Sequence, residues 1–311
     1  MLVRGEEPLD QTFAALAERA PVELRDAALA LPYRLGLTHR PHGGWGDFAS
    51  LPPVCDLPVF AIDDPSEVGD DVLGQFRFAH RVGGFHGLLV DRVSDGQAVA
   101  DATLGALRAW LRRERVQALG DALGDHSAAE RWVARGERAF RSALAGERRA
   151  RAERRLDVDG YVSIVVEKTR WIALPTLAML HRHRPDRSEA FARGFRLFML
   201  ALQAFDDGVD TREDEDLYGV TVPALLGSRP DVLRQAARLV TDRTTDELAR
   251  AGFHRFAAWS EARSGQLGAR AGLLSAIGAL ALEERLVGSL VRASRRPRRW
   301  VGRSSEGACP T

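Results

Sequence analysis

Cysteine is nearly absent from this chain: two occur in 311 residues, Cys55 and Cys309, far apart in sequence. Neither a disulfide framework nor a cysteine-built zinc site can come from such a pair. An excess of either charge is also missing, with 44 Lys and Arg against 43 Asp and Glu. A balance this even gives no electrostatic reason to expect nucleic acid or an anionic membrane as the main partner. No apolar run reaches the length of a membrane span. The strongest, 271–282, is interrupted by glycines and ends in Glu283-Glu284-Arg285. The opening MLVRGEEPLDQ lacks the apolar stretch of a signal peptide, so a reducing cytoplasm is the expected location. Strand-type alternation of useful length, internal repeats and low-complexity blocks are lacking too.

Ala, Leu and Arg dominate instead, and apolar residues recur at three- and four-residue spacing through most long segments. That period belongs to amphipathic helices. It predicts helices near 8–31, 66–95, 98–120, 127–152, 158–182, 187–213, 230–250 and 254–291. The stretch 32–58 holds Pro32, Pro41, Gly43, Gly44, Gly46, Pro52, Pro53 and Pro58 and reads as a long irregular loop, either a linker or a flap over a site. The expected organisation is an N-terminal helix and loop over 1–60, a helical core over 61–291 and a basic, disordered tail over 292–311. An all-α, single-domain bundle with sequential antiparallel neighbours follows.

Within that bundle the segment 195–205 is almost wholly apolar and runs directly into Asp206, Asp207, Asp210 and Asp214. A helix that is apolar nearly all round is buried. Positions 206, 210 and 214 are spaced i, i+4 and i+8, one stripe on one face, and Asp207 pairs with Asp210 at i+3. Like charges so placed repel one another, and their burial adds to the cost. An acidic C-terminal helix end is also the wrong sign for the helix dipole, which weakens the plainer reading of a solvated acidic terminus. A hard divalent cation with oxygen ligands offsets that cost.

A second apolar helix ends in Asp91 and Asp95, again i, i+4, with His80, Gly84, Gly87 and Leu88 upstream. Glycines inside a helix cost about 1 kcal/mol each relative to alanine, so Gly83, Gly84 and Gly87 point to space needed for packing or for a substrate. Two such helices facing each other make a carboxylate-lined mouth over an apolar chamber. That suits an anionic head bridged by metal ions, with an apolar tail below. A third helix, from Asp159 to Ile172, carries Lys168 above Ile164, Val165 and Ile172, where its ammonium could meet the head as a point charge. A snorkelling surface lysine is the alternative there.

Over roughly 70–230 these residues resemble the trans-isoprenyl diphosphate synthase and terpene synthase superfamily. Gln203-Ala204-Phe205-Asp206-Asp207-Gly208-Val209-Asp210 is similar to that superfamily's second aspartate-rich motif, FQxxDDxxD. Positions 206, 210 and 214 are similar to the metal triad of terpene cyclases. Asp91 to Asp95 resembles the first DxxxD of squalene and phytoene synthases. Tyr161 through Lys168-Thr169 resembles the Y…KT segment of chain-elongating members, whose lysine contacts diphosphate. Several family features are absent. No GGKxxR segment occurs, the N-terminal Gly43-Gly44 lacking its basic pair. Asp95 is followed by Gly96-Gln97 and not by arginines. Tyr218-Gly219 stands where a lysine follows the second motif, and the C-terminal Arg-Tyr pair of bacterial cyclases is missing.

The resemblance implies an isoprenoid-synthase bundle with a central apolar cavity, closest to a bacterial class IB terpene synthase. It implies a cluster of three Mg²⁺, with Mn²⁺ as a substitute, on Asp91, Asp95, Asp206, Asp207, Asp210 and Asp214. Asp91, Asp206 and Lys168 become the catalytic candidates. Lys168, Arg81, Arg212, Gln203, Phe198, Leu202, Gly84, Gly87 and Leu88 become the substrate-binding ones, with Phe195 and Met199 beside them. The expected substrate is one C15 or C20 prenyl diphosphate, ionised and cyclised. Chain elongation, head-to-head coupling and a non-catalytic prenyl-binding or partner subunit remain alternatives, and a homodimer is left open. A di-iron bundle would need Glu-x-x-His pairs, which His80, His86, His181 and His183 do not form.

Overall fold

The computed structural model describes residues 9–39, 44–45, 52–267 and 273–295. Among these residues every regular element is helical. A short N-terminal group comprises α1 (Leu9–Glu18), α2 (Arg25–Leu29), α3 (Leu31–Arg34), α4 (Pro52–Cys55) and α5 (Leu57–Phe60). The bundle continues with α6 (Asp70–Ser94), α7 (Ala102–Leu123), α8 (His126–Glu153), α9 (Val158–Ile172) and α10 (Leu174–His183). It closes with α11 (Pro185–Val209), α12 (Thr211–Tyr218), α13 (Val222–Leu225), α14 (Pro230–Arg250), α15 (His254–Leu267) and α16 (Leu273–Arg295). The expected tail therefore begins inside α16, and 296–311 lie outside the described residues.

Local chemistry starts and stops these helices. The carboxylates of Asp101, Asp125 and Asp157 accept from the backbone N–H groups of Leu104, Ala128 and Gly160, capping α7, α8 and α9. Each such cap contributes about 1 kcal/mol. Four of the expected long helices are divided, the 8–31 helix into α1, α2 and the start of α3 around Pro21. The 158–182 helix breaks at Ala173 because Pro175, two residues on, has no N–H to give the carbonyl of Trp171. That carbonyl accepts instead from the buried Arg115 Nη2 at 2.9 Å. The 187–213 helix breaks at Asp210, and the 254–291 helix becomes α15 and α16. The 32–58 stretch lies partly outside the described residues. Its remainder includes α3, α4 and the start of α5, with Pro32 and Pro58 in first turns where no N–H is required.

Two apolar cores meet at α11. Phe191, Phe195, Phe198 and Met199 face a core shared with α1, α6, α7 and α10, while Leu197, Leu200, Ala201 and Ala204 face one shared with α9, α14 and α16. This double burial is why the sequence of α11 is apolar all round. The N-terminal group is fixed to α6 by charge. Asp56 accepts from Arg77 (2.9 and 3.0 Å) and from Arg81 (2.8 and 3.1 Å), and Arg81 also donates to Thr12. Burial alone would raise the Asp56 carboxyl, but the hydrogen bonds from Arg77 and Arg81 outweigh it and hold it below its usual value.

Next to this network the His80 Nε2–H donates to the Val54 carbonyl at 2.6 Å. Burial pushes the His80 pKa down to about 4, and burial with the nearby Arg115 holds His86 well below the ordinary range. Both rings therefore bind fewer protons folded than unfolded. Their contribution is complete above the unfolded histidine pKa and is lost as the pH falls through the folded one. His80 alone should cost about 3 kcal/mol of stability between pH 6.5 and 4. Denaturant melts at stepped pH test this, and a flat profile over that window would contradict a neutral, buried His80.

Candidate functional site

The C-terminal ends of α6 and α11 meet, with α12, on one side of the bundle and enclose a cleft of about 350 Å³. The second walls come from α8 and α9. On α6, Asp91 occupies the last turn and Asp95 the C-cap, its N–H bonded to the Asp91 carbonyl at 2.9 Å. On the other side the helix breaks at Asp210, yet the N–H groups of Asp210 and Asp214 still reach the carbonyls of Asp206 and Asp210, both at 2.9 Å. The turn-by-turn spacing of Asp206, Asp210 and Asp214 thus survives the break, and all three line the cleft with Asp207.

Gly208 explains how this strand of acids is seated. A Cβ there would lie 3.2 Å from the Pro230 carbonyl oxygen and 3.3 Å from the Arg234 nitrogen, so α14 approaches α11 backbone to backbone. Arg234 Nη1 then donates to the Gly208 carbonyl at 3.2 Å, occupying an acceptor at the end of the helix.

Both walls are short of positive charge. Burial and the neighbouring Asp91 push Asp95 up to about 6, with Lys168 pulling the other way. Burial pushes Asp207 up to about 7, although both its oxygens have donors: Tyr161 Oη to Oδ2 at 2.7 Å and Gln203 Nε2 to Oδ1 at 3.0 Å. Burial and Asp207 in turn hold the Tyr161 hydroxyl well above its ordinary range, as a donor. Burial would lower Lys168, but Glu147, Asp91 and Asp95 outweigh it and keep the ammonium charged. Its Nζ lies 3.0 Å from Glu147 Oε1 and 3.6 Å from Asp91 Oδ1. Arg92 and Arg151 carry further positive charge on the lining.

The structure thus brings together Asp91, Asp95, Asp206, Asp207, Asp210, Asp214, Lys168, Gln203 and Leu88. It places the other expected residues elsewhere. Arg81 is spent on Asp56 and Thr12. Arg212 is exposed on α12 and does not line the cleft. Phe198 packs edge-on to Phe256 and Trp259 with ring centroids 5.1 and 5.7 Å away, beside the similarly buried Phe195 and Met199. Leu202 packs against the same core. Gly84 is off the lining, and Gly87 admits the Trp171 indole, whose Nε1 would stand 2.6 Å from a Cβ. The apolar part of the cleft is built instead from Leu88, Leu156, Ile164, Val165, Val222 and Leu225. Glu147, Arg151 and Tyr218 also line it and were not singled out by the sequence. Glu147 and Arg151 sit in an arginine-rich helical stretch whose only local signal is their i, i+4 spacing.

The donor set suits a hard cation: carboxylate oxygens on facing walls, two with raised pKa values and no matching number of cations. Among the described residues no three acidic, histidine or cysteine side chains are close enough to share one ion. Magnesium does not require such a cage, since it is commonly held by one or two carboxylates with phosphate oxygens and water completing the shell. Replacing Gly208 by Ala should lower stability by about 1–3 kcal/mol, because the new Cβ would meet Arg234 Cγ at 2.6 Å and, behind it, two backbone atoms of α14 that cannot swing away. A thermal melt of Gly208→Ala checks this; an unchanged Tm would mean that α11 and α14 are not in close register.

No family model matches the chain, and no curated protein sequence matches it. Among solved structures the fold is similar to that of a polyprenyl synthetase from Streptomyces coelicolor A3(2), with a TM-score of 0.53 and 16% sequence identity over 92% of this chain and 96% of that one. The protein therefore has the all-α fold of that synthetase.

Proposed function

We propose that this chain is a class I isoprenoid synthase that ionises a single prenyl diphosphate and releases diphosphate, giving a cyclic terpene. One observation carries the reading: six aspartates from α6, α11 and α12 line one cleft together with Lys168 and a set of apolar side chains. Asp91 and Asp95 on one wall and Asp206, Asp210 and Asp214 on the other would hold magnesium. Bound there, magnesium supplies positive charge to the diphosphate oxygens as the carbon–oxygen bond breaks.

The chain's own residues do the rest. Lys168, held at Glu147, presents a fixed positive charge toward the leaving group. Asp207, engaged at both oxygens by Tyr161 and Gln203, braces the end of α11 rather than offering itself as a ligand. Leu88, Leu156, Ile164, Val165, Val222 and Leu225 shield the base of the cleft from water, which would otherwise quench an allylic cation. A C15 or C20 chain is the favoured substrate.

Chain elongation is the second reading, and the name of the similar solved structure, a polyprenyl synthetase, favours it. Against it stands the missing GGKxxR segment that would hold isopentenyl diphosphate. The two are separated by offering purified protein and Mg²⁺ the C10, C15, C20 and C25 prenyl diphosphates singly, then with isopentenyl diphosphate. Diphosphate release and extracted products are measured. A cyclase gives a cyclic hydrocarbon or alcohol from one substrate, with Asp91→Ala and Asp206→Ala each lowering release about a hundredfold or more. A longer diphosphate formed only with isopentenyl diphosphate would move the enzyme to the prenyltransferases. Silence in both would favour a non-catalytic bundle.

A further inference from the structure

The cleft's supply of cations differs from the one the sequence suggested. Arg81 and Arg212 lie outside it, and the charge of Lys168 is drawn toward Glu147 and Asp91. A cation on an element without any acidic motif takes their place. Arg151, in the last turn of α8, lines the cleft with its side chain about a quarter exposed (24%). Its guanidinium carbon lies 3.4 Å above the centre of the Tyr218 ring, so the group is held face-on by an aromatic surface. Its Nη2 is 3.9 Å from Asp214 Oδ1, beyond hydrogen-bonding distance. The Tyr218 hydroxyl in turn donates to the Asp95 carbonyl at 3.3 Å. One tyrosine from α12 thereby ties the end of α6 to the arginine of α8.

With its face on the ring and one N–H engaged by the Tyr218 hydroxyl, the guanidinium keeps its other N–H groups for ligands. Those groups match two oxygens of a phosphate group at once, which an ammonium cannot do. We propose that Arg151 binds the diphosphate group of the substrate and that Tyr218 is the positioning residue that sets its plane. This rests on the diphosphate-binding reading given above and adds to it a binding group from α8.

Calorimetric titration of the full chain with inorganic diphosphate in the presence of Mg²⁺ tests this, using wild type, Arg151→Ala, Arg151→Lys, Tyr218→Leu and the Arg151→Ala/Tyr218→Leu double variant. Arg151→Ala should weaken binding about tenfold or more, and Arg151→Lys should recover only part of it, since charge returns without the fork. Tyr218→Leu should weaken binding about threefold alone and add nothing in the Arg151→Ala background, the mark of a residue acting through another. Thermal melts confirm folding, and Arg151→Lys carries the test if Arg151→Ala does not fold. Diphosphate binding by Arg151→Ala, or failing that Arg151→Lys, as tight as by wild type would overturn the assignment and leave the diphosphate reading standing. No Mg²⁺-dependent diphosphate binding by wild type would overturn both.

Discussion

Crowding of like charge at the ends of two buried helices is the constraint around which this molecule is arranged. Asp91 and Asp95 close α6, Asp206 and Asp207 close α11, and Asp210 and Asp214 follow across the break. Each helix end already carries the negative pole of its dipole, so the carboxylates add to an unfavourable field. The neighbours answer in part. Lys168 pairs with Glu147 and Asp91, Tyr161 and Gln203 donate to Asp207, and Asp95 and Asp207 are pushed toward protonation. What remains is a negative cleft with hard oxygen donors, the donor type that hard divalent cations prefer.

Holding such a cleft open takes a frame that does not yield. α11 provides it by being buried on both sides, one face in each apolar core. Close approach at Gly208 sets α11 on α14, and the fit of Trp171 against Gly87 sets α9 on α6. Arg115 serves the same frame from within. Buried among the core residues, it satisfies the Trp171 carbonyl orphaned by Pro175, with its guanidinium carbon 4.2 Å over the Trp171 ring. A polar group lost at a proline is replaced by a side chain from another helix, so the α9–α10 break is stable in the interior.

The same double burial explains why the aromatic face of α11 does not line the cleft. Phe191, Phe195 and Phe198 pack against one another and against Phe253 and Phe256. Rings at helical spacing look alike whether they line a chamber or fill a core. Only the partners across the interface distinguish the two, and here those partners are other aromatics.

The sequence alone determined the helical class and the spacing within each acidic set, Asp91 with Asp95 and Asp206 with Asp210 and Asp214, because both rest on local period. Apolar residues at three- and four-residue spacing make a helix, and carboxylates one turn apart share a face whatever surrounds them. Lys168 and Gln203 were legible for the same reason, each lying at a fixed offset along its helix from a recognisable motif. The breaks at Ala173 and Asp210 were less so, since the apolar period continues across them. Tertiary structure decided which of the 44 basic residues face the acids. Arg81 turns to Asp56 while Arg151 turns to Tyr218 and the cleft. That choice depends on how each helix is rotated and which neighbour it packs against, and neither is written in the spacing of any one segment.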